Sequence, residues 1–284
     1  VRIGLHTSIA KGLDQAAIEA RDAGANCFQI FTSSPRMWRA TPPDPAKIHA
    51  LRTLCQQFDL TPLVVHANYL INLGGATPEL LQQSILAFRG ELERAIAIGA
   101  DFLVTHPGSA KGHASVNDAI DVIAASVAAA TTRLDPGPLR LLFENTAGQG
   151  QSVGSRFEDL ARLREQTARL TKFPTGFCLD TCHCFAAGYD VRTAAGLKQT
   201  LAEAGRLFGL EHVAVIHAND SKGALGSQLD RHQHIGRGEI GEEGFRRLLR
   251  HPQLRTKAFI LETPVDDEVD DRQNIATLKR LSAR

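Results

Sequence analysis

"RLLFENTAGQG", residues 140–150, opens as a short apolar run of strand length, ends that run on the carboxylate of Glu144 and breaks at once into a glycine-containing loop. The same design recurs in "RIGLH" (2–6), "CFQIF" (27–31), "PLVVH" (62–66), "FLVTH" (102–106), "GFCLD" (176–180), "VAVIH" (213–217) and "AFILE" (258–262). Near-continuous apolar runs of this length suit a parallel sheet buried on both faces. Helical patterns fill the intervals. In "DPAKIHALRTLCQQF" (44–58), Asp44 is an N-cap with Pro45 at the first helical position, and Ile48, Leu51, Cys55 and Phe58 follow at helical spacing. The segment after Thr77 repeats the device and stops near Gly99. Further helices are predicted over 13–23, 117–133, 156–169, 192–208, 242–250 and 271–283. Eight strands alternating with eight helices predict an α/β fold: a single (β/α)8 TIM barrel over 1–284, a normal length for one such domain.

Composition sets bounds on function. The chain is 43% hydrophobic and 22% charged, a soluble globular balance. Its most apolar helix-like run, 119–130, is interrupted by Asp121 and is shorter than the roughly 18 apolar residues of a membrane span, so no membrane partner is expected. The start "VRIGLHTSIAKG" has no continuous apolar core of a secretory leader. Five cysteines, an odd number, argue against a disulfide framework and for a reducing cytoplasm. A net charge of +1 does not announce a nucleic-acid binder, yet 24 Arg against eight Lys favours planar, bidentate recognition of carboxylate or phosphate.

The strand ends carry the chemistry. Seven of the eight runs finish in His6, His66, His106, Glu144, Asp180, His217 or Glu262, residues a core excludes unless they are paired. A barrel gathers all its C-terminal strand ends on one face, where catalytic residues of this architecture sit. A lone strand-end histidine is ordinarily a hydrogen-bonded cap. Six or seven imidazoles and carboxylates at one mouth would repel and desolvate one another without a cation, and they suit zinc and its neighbours.

Other stretches stay open to two readings. "CLDTCHC" (178–184) could hold a nucleophile–base pair in Cys182 and His183, or a thiolate metal site. Neighbouring residues seldom face each other, and no second cysteine pair has zinc-ribbon spacing, so the cysteines also read as small buried hydrophobes. "TAGQGQSVG" (146–154) lacks the spacing of a dinucleotide fingerprint; it is either a phosphate-approaching βα loop or a tight turn. "SSPRMWRA" (33–40) and Tyr69 mix arginine with aromatics on loops, as base-stacking residues do and as local packing clusters also do. "DRHQHIGRG" (230–238), on a long loop after the seventh run, places Asp230, His232 and His234 within reach of the mouth.

"HPGS" (106–109), "ENTAGQG" (144–150), "DTCH" (180–183), "FAAGYD" (185–190), "HANDSK" (217–222), "DRH" (230–232) and "LET" (261–263) closely resemble the endonuclease IV family of zinc-dependent abasic-site endonucleases, over residues 3 to about 263. The resemblance implies three zinc ions per chain, with manganese an alternative at one or more sites. His66, His106 and Glu144 would hold one; Glu144, bridging, with Asp180, His217 and Glu262 would hold the second; His183, Asp230 and His232 would hold the third. Three dications would raise the formal charge to about +7, which removes the objection to DNA. His6 matches a nearby histidine that is not a ligand, and His234 has no assigned role, leaving it behind the ligands or at the surface.

The implied reaction is attack of a hydroxide, held by the first two ions with Glu144 and Glu262, on the phosphorus 5′ to an abasic site in double-stranded DNA. It gives 3′-hydroxyl and 5′-deoxyribose phosphate ends, and blocked 3′ ends are a further expected substrate. Arg36 and Tyr69 match residues that enter the DNA, and an abasic nucleotide, lacking stacking and pairing, flips out cheaply. A monomer without organic cofactor is expected. "HTSIAKG" (6–12) lacks paired glycines common in relatives, and Ser34 stands where Asn is frequent, both on loops facing DNA. The rival enzyme is a divalent-metal sugar isomerase or epimerase, which needs neither a third ion nor wedge residues. A non-hydrolytic damage binder or metal store is the rival outside catalysis.

Overall fold

The computed structural model describes residues 1–34, 37–266 and 270–283. Strands β1 (Arg2–His6), β2 (Cys27–Ile30), β3 (Leu63–His66), β4 (Phe102–Thr105), β5 (Arg140–Glu144), β6 (Thr175–Asp180), β7 (Val213–His217) and β8 (Ala258–Leu261) close into a barrel in sequence order, with β1 against β8. Every pairing around it is parallel. The helices are α1 (Leu13–Asp22), α2 (Pro45–Gln57), α3 (Pro78–Ile98), α4 (Val116–Thr131), α5 (Phe157–Leu170), α6 (Thr181–Ala187), α7 (Ala194–Leu207), α8 (Gly241–Arg250) and α9 (Asp271–Ser282). Eight of these match the predicted helices to within two residues at each end. Asp44 and Thr77 cap α2 and α3 through side-chain acceptors, each with proline in the first turn, and α3 stops at left-handed Gly99.

The ninth, α6, is an addition to the sequence reading. Thr181 to Ala186 are all buried, so the segment presents no polar face from which a helical period could be read.

Two cores fill the molecule. Outward strand residues such as Phe28, Val65, Phe143, Phe177 and Phe259 pack with Leu51, Phe88, Ile123, Leu160, Phe245 and Leu278 of the surrounding helices. A separate plug inside the barrel consists of Cys27, Val64, Val104, Leu142, Cys178, Val215, Ala258 and Ile260. Because side chains on a strand alternate with period two, the residue two positions beyond the last plug residue of each of these seven strands also points inward, one layer nearer the C-terminal mouth. Those residues are Gln29, His66, His106, Glu144, Asp180, His217 and Glu262. The apolar plug is the floor on which a polar cup stands.

In β1 the corresponding pair is Gly4 and His6. A Cβ on Gly4 would lie 2.0 Å from the backbone oxygen of its register partner Cys27, so this wall has no room for a side chain. Gly4→Ala is expected to destabilise the fold by about 3 kcal/mol through overpacking of the plug, read as a lowered urea midpoint at unchanged slope.

Candidate metal centre

Glu144 is the centre of the cup and is fully buried. His66 Nε2 lies 3.2 Å and His106 Nε2 3.1 Å from its Oε2, whereas His217 Nδ1 lies 2.9 Å from its Oε1. One carboxylate therefore faces two separate groups of imidazoles with its two oxygens. Glu262 Oε2 is 3.3 Å from the same His217 nitrogen, and Asp180 and His217 are register partners on β6 and β7. The third predicted set also meets: His183 Nε2 is 3.2 Å and His232 Nε2 3.5 Å from Asp230 Oδ1. In each of the three predicted sets the potential ligand atoms all lie within 4.8 Å of one another.

Local structure explains how the third set is delivered. Asp180 accepts the backbone N–H of His183 at 2.8 Å as the N-cap of α6, which turns His183 back toward the mouth. Asp230 and His232 arrive on the long connection after β7, where Asp220–Ser221 and His232–Gln233 form a two-residue antiparallel pair.

The imidazole tautomers are set by carbonyl acceptors. Nδ1–H donates to a carbonyl oxygen in His66 (Ala67, 2.8 Å), His183 (Asn145, 2.9 Å) and His232 (Glu262, 2.9 Å), and His217 donates Nε2–H to Gln29 Oε1 at 2.9 Å. The other nitrogen of each ring then directs a lone pair at carboxylates. Lone pair against carboxylate repels unless a cation or proton lies between, and acceptors of this kind behind the ring are what metal-binding histidines use. His232 Nε2 is buried with no hydrogen-bond partner, as an unfilled ligand atom would be. The donor set fits divalent transition metals.

Electrostatics agree. Burial opposes ionisation of Glu144 and Glu262, but His217 and the neighbouring imidazoles hold both well below the usual carboxylate range. Burial likewise disfavours charge on His183, yet Asp180, Asp230 and Glu144 push it up to about 10. Without metal the cup recruits protons.

Sequence reasoning missed three buried side chains that position the predicted ones. Gln29 donates to Glu262 Oε1 at 2.6 Å and to His6 Nδ1 at 3.0 Å while accepting from His217, so it ties three strands together. Asn219 donates to Asp180 Oδ2 at 2.6 Å and accepts from the Glu262 N–H at 2.8 Å. Asn145 accepts the Asp180 N–H at 2.7 Å. The available signal was period two: Gln29 stands two residues after Cys27 as His66 stands after Val64. Replacing Gln29 by methionine removes the donor to Glu262 and the acceptor for His217, and should weaken metal binding about 10- to 100-fold in a chelator competition titration.

Remaining stretches find their places. Burial pushes the Cys178 and Cys182 thiols up to about 12; both lie near ligand atoms but stay protonated, unlike a catalytic thiolate. "TAGQGQSVG" turns left-handed at Gly148 and Gly150, and Gln149 Oε1 accepts from the Asp230 N–H at 3.4 Å, so this loop braces the metal-facing one. His234 is fully buried rather than on the surface, and bonds Asp266 and Asn274. Tyr69 is 62% exposed on the rim, its ring edge-on to Phe31 at 5.2 Å. Trp38 is half-buried and lines a surface cavity together with Leu86 and Ala87 of α3. Arg36 lies outside the described residues.

A parallel eight-stranded barrel whose mouth gathers imidazoles and carboxylates defines a metal-site TIM barrel, and the family described as "Xylose isomerase-like TIM barrel" matches residues 18–281. The chain is 52% identical over 282 residues to a "Probable endonuclease 4" of Solibacter usitatus, covering 99% of this chain and 97% of that one. The crystal structure of endonuclease IV from Thermus thermophilus superposes with a TM-score of 0.86 at 40% identity, covering 99% and 98% of the two chains. A D-tagatose 3-epimerase-like protein superposes at 0.71 with 16% identity, which is a likeness of fold alone. The chain belongs to the endonuclease IV family.

Proposed function

We propose that this protein is an abasic-site endonuclease that cuts double-stranded DNA on the 5′ side of the lesion. Water adds to the phosphorus, the bond from phosphorus to the 3′ oxygen breaks, and the water proton ends on that oxygen, leaving 3′-hydroxyl and 5′-deoxyribose phosphate ends. The observation that carries this reading is the division of the Glu144 oxygens between His66 with His106 and His217, in a chain akin to endonuclease 4 proteins over its full length. His66, His106 and Glu144 would hold one zinc, Glu144 with Asp180, His217 and Glu262 a second, and His183, Asp230 and His232 a third. Bound divalent ions supply Lewis-acid polarisation of the phosphate and a water more acidic than bulk water.

The side chains do the rest. Glu262, kept ionised and with 15% of its side chain open to solvent, orients the attacking water. Gln29 fixes the Glu262 oxygen that does not face His217. Tyr69, projecting from the rim beside His66, fills the space vacated by the flipped abasic nucleotide, and Arg36 enters the DNA with it. Blocked 3′ ends present the same phosphodiester to the same cup. All five cysteines are free, which supports a cytoplasmic setting, and the protein is proposed to act as a monomer. No helix among the described residues is long and apolar enough to cross a membrane.

The test is incision of a duplex oligonucleotide with one abasic site, with product ends identified and metal content measured on the same sample. A 3′-hydroxyl end and about three ions per chain are expected. An enzyme fully loaded with metal that leaves the duplex intact and interconverts ketoses and aldoses would establish the sugar-isomerase alternative instead.

A further inference from the structure

Asp220 is fully buried three residues beyond His217, and backbone N–H groups converge on its carboxylate. Its Oδ1 accepts from Ser221 N–H at 2.8 Å and Ile240 N–H at 2.9 Å; its Oδ2 accepts from Gly236 N–H at 2.9 Å and Gly238 N–H at 3.1 Å; Gly241 N–H approaches both, at 3.4 and 3.2 Å. Ser221 and residues 236–241 are the two ends of the excursion that carries Asp230 and His232. One carboxylate thus gathers both feet of that loop.

The glycines are what let the backbone close on it. A Cβ on Gly238 would lie 2.4 Å from the Ser221 oxygen and 2.5 Å from Asp220 Oδ1, and Gly236 is left-handed at φ +84°. Between the feet the excursion has anchors of its own: Gly226 and Gln228 donate to the carbonyls of Phe185 and Ala186 at the end of α6, Lys222 N–H to the Arg231 oxygen, Asp230 N–H to Gln149 Oε1, His232 Nδ1–H to the Glu262 oxygen and Ile235 N–H to Asn274 Oδ1. These distal contacts place the tip. The Asp220 cradle fixes where the two ends start and finish.

We propose that Asp220 is a positioning residue for the third metal site, holding the 221–241 loop in the shape that brings Asp230 and His232 to His183. The inference rests on the three-ion reading given above. Asparagine is nearly isosteric, but whichever way its amide turns, an NH2 faces backbone N–H groups that previously donated to a carboxylate oxygen. Losing that acceptor frees the loop without touching a ligand.

Hydrogen exchange by mass spectrometry over 222–240, on metal-free and zinc-loaded protein, and zinc stoichiometry by native mass spectrometry make the test. Asp220→Asn is expected to exchange at least about tenfold faster in this segment in both states while the strands stay protected, and to bind two ions where the wild type binds three. Gly238→Ala, which attacks the cradle from its other side, should give the same pair of results, and Leu225→Ala at the exposed tip should give neither. Wild-type exchange and three ions in Asp220→Asn would overturn the proposal, as would loss of all ions together with strand protection in both cradle variants. A wild-type protein holding fewer than three ions refutes the three-ion reading, and the exchange result on metal-free protein still decides whether Asp220 holds the loop.

Discussion

Glu144→Gln is expected to lower the rate of abasic-site incision at least about a thousandfold, equivalent to about 4 kcal/mol of transition-state stabilisation, and to reduce the metal content of the purified protein. The carboxylate uses one oxygen toward His66 and His106 and the other toward His217 and, at 3.5 Å, His183. Glutamine keeps one oxygen and replaces the other with an NH2, so it can serve one group of imidazoles as a ligand neighbour but never both. Stability should fall with it. In the metal-free protein Glu144 helps to raise His66 and His217, which hold protons against it, so an amide in its place leaves buried positive charge without its counter-charge. The metal-free variant should therefore melt below the metal-free wild type. Incision kinetics, elemental analysis and melting on the same preparations check all three statements. A variant with wild-type incision and full metal content would remove Glu144 from the centre of the reaction.

This behaviour could be anticipated because most of the cup is written as a two-residue step from an apolar plug residue to a polar one: Leu142 to Glu144, Cys178 to Asp180, Val215 to His217 and Ile260 to Glu262. Where the polar residue ends its run, the sequence announces it. On β2 it does not, since Gln29 is followed by Ile30 and Phe31 and sits inside an apolar stretch, so its hold on Glu262 and His217 was hidden. The short α6 was hidden for the opposite reason: being buried all round, it has no periodic face, although its N-cap Asp180 was in view as a ligand. The glycines of "HIGRGEIG" were visible as a turn signal, but that their N–H groups converge on Asp220, 16 to 21 residues earlier, is a property of loop closure that no local pattern encodes. The rim is the least legible part. Tyr69 stands exposed on the rim beside His66, whereas Trp38, drawn from the same aromatic-and-arginine pattern, is half-buried on the wall of a cavity that α3 also lines.

Removing the metal should change the sign of the protein's response to pH. In the metal-free cup, burial opposes protonation of His183, but Asp180, Asp230 and Glu144 outweigh it and raise the group to about 10; His66 and His217 are raised for the same kind of reason, by Glu144 and Glu262. A histidine whose folded pKa lies above its unfolded value of 6.5 contributes stability that is fully present below pH 6.5 and is lost as pH rises toward the folded value. Between pH 6.5 and 8.5 this loss is on the order of 2 kcal/mol, which lowers the melting temperature of the chelated protein by about 5 °C. The window stops short of 9, where cysteines in the unfolded chain ionise and the buried thiols, pushed up to about 12, add a loss of their own. His6, lowered by burial, acts below 6.5 and leaves the window clear. Zinc competes for the same ring nitrogens, so its affinity rises over the interval in which the protons leave, and saturating metal adds about 4 kcal/mol when its concentration is about a thousand times its dissociation constant. The gap between loaded and stripped melting temperatures must then widen from pH 6.5 to 8.5, with protons released on titration with zinc. A stripped protein whose melting temperature holds steady or climbs across that window would mean that the imidazoles are not protonated partners of Glu144 and Asp180, and the cup would have to be held together by hydrogen bonds alone.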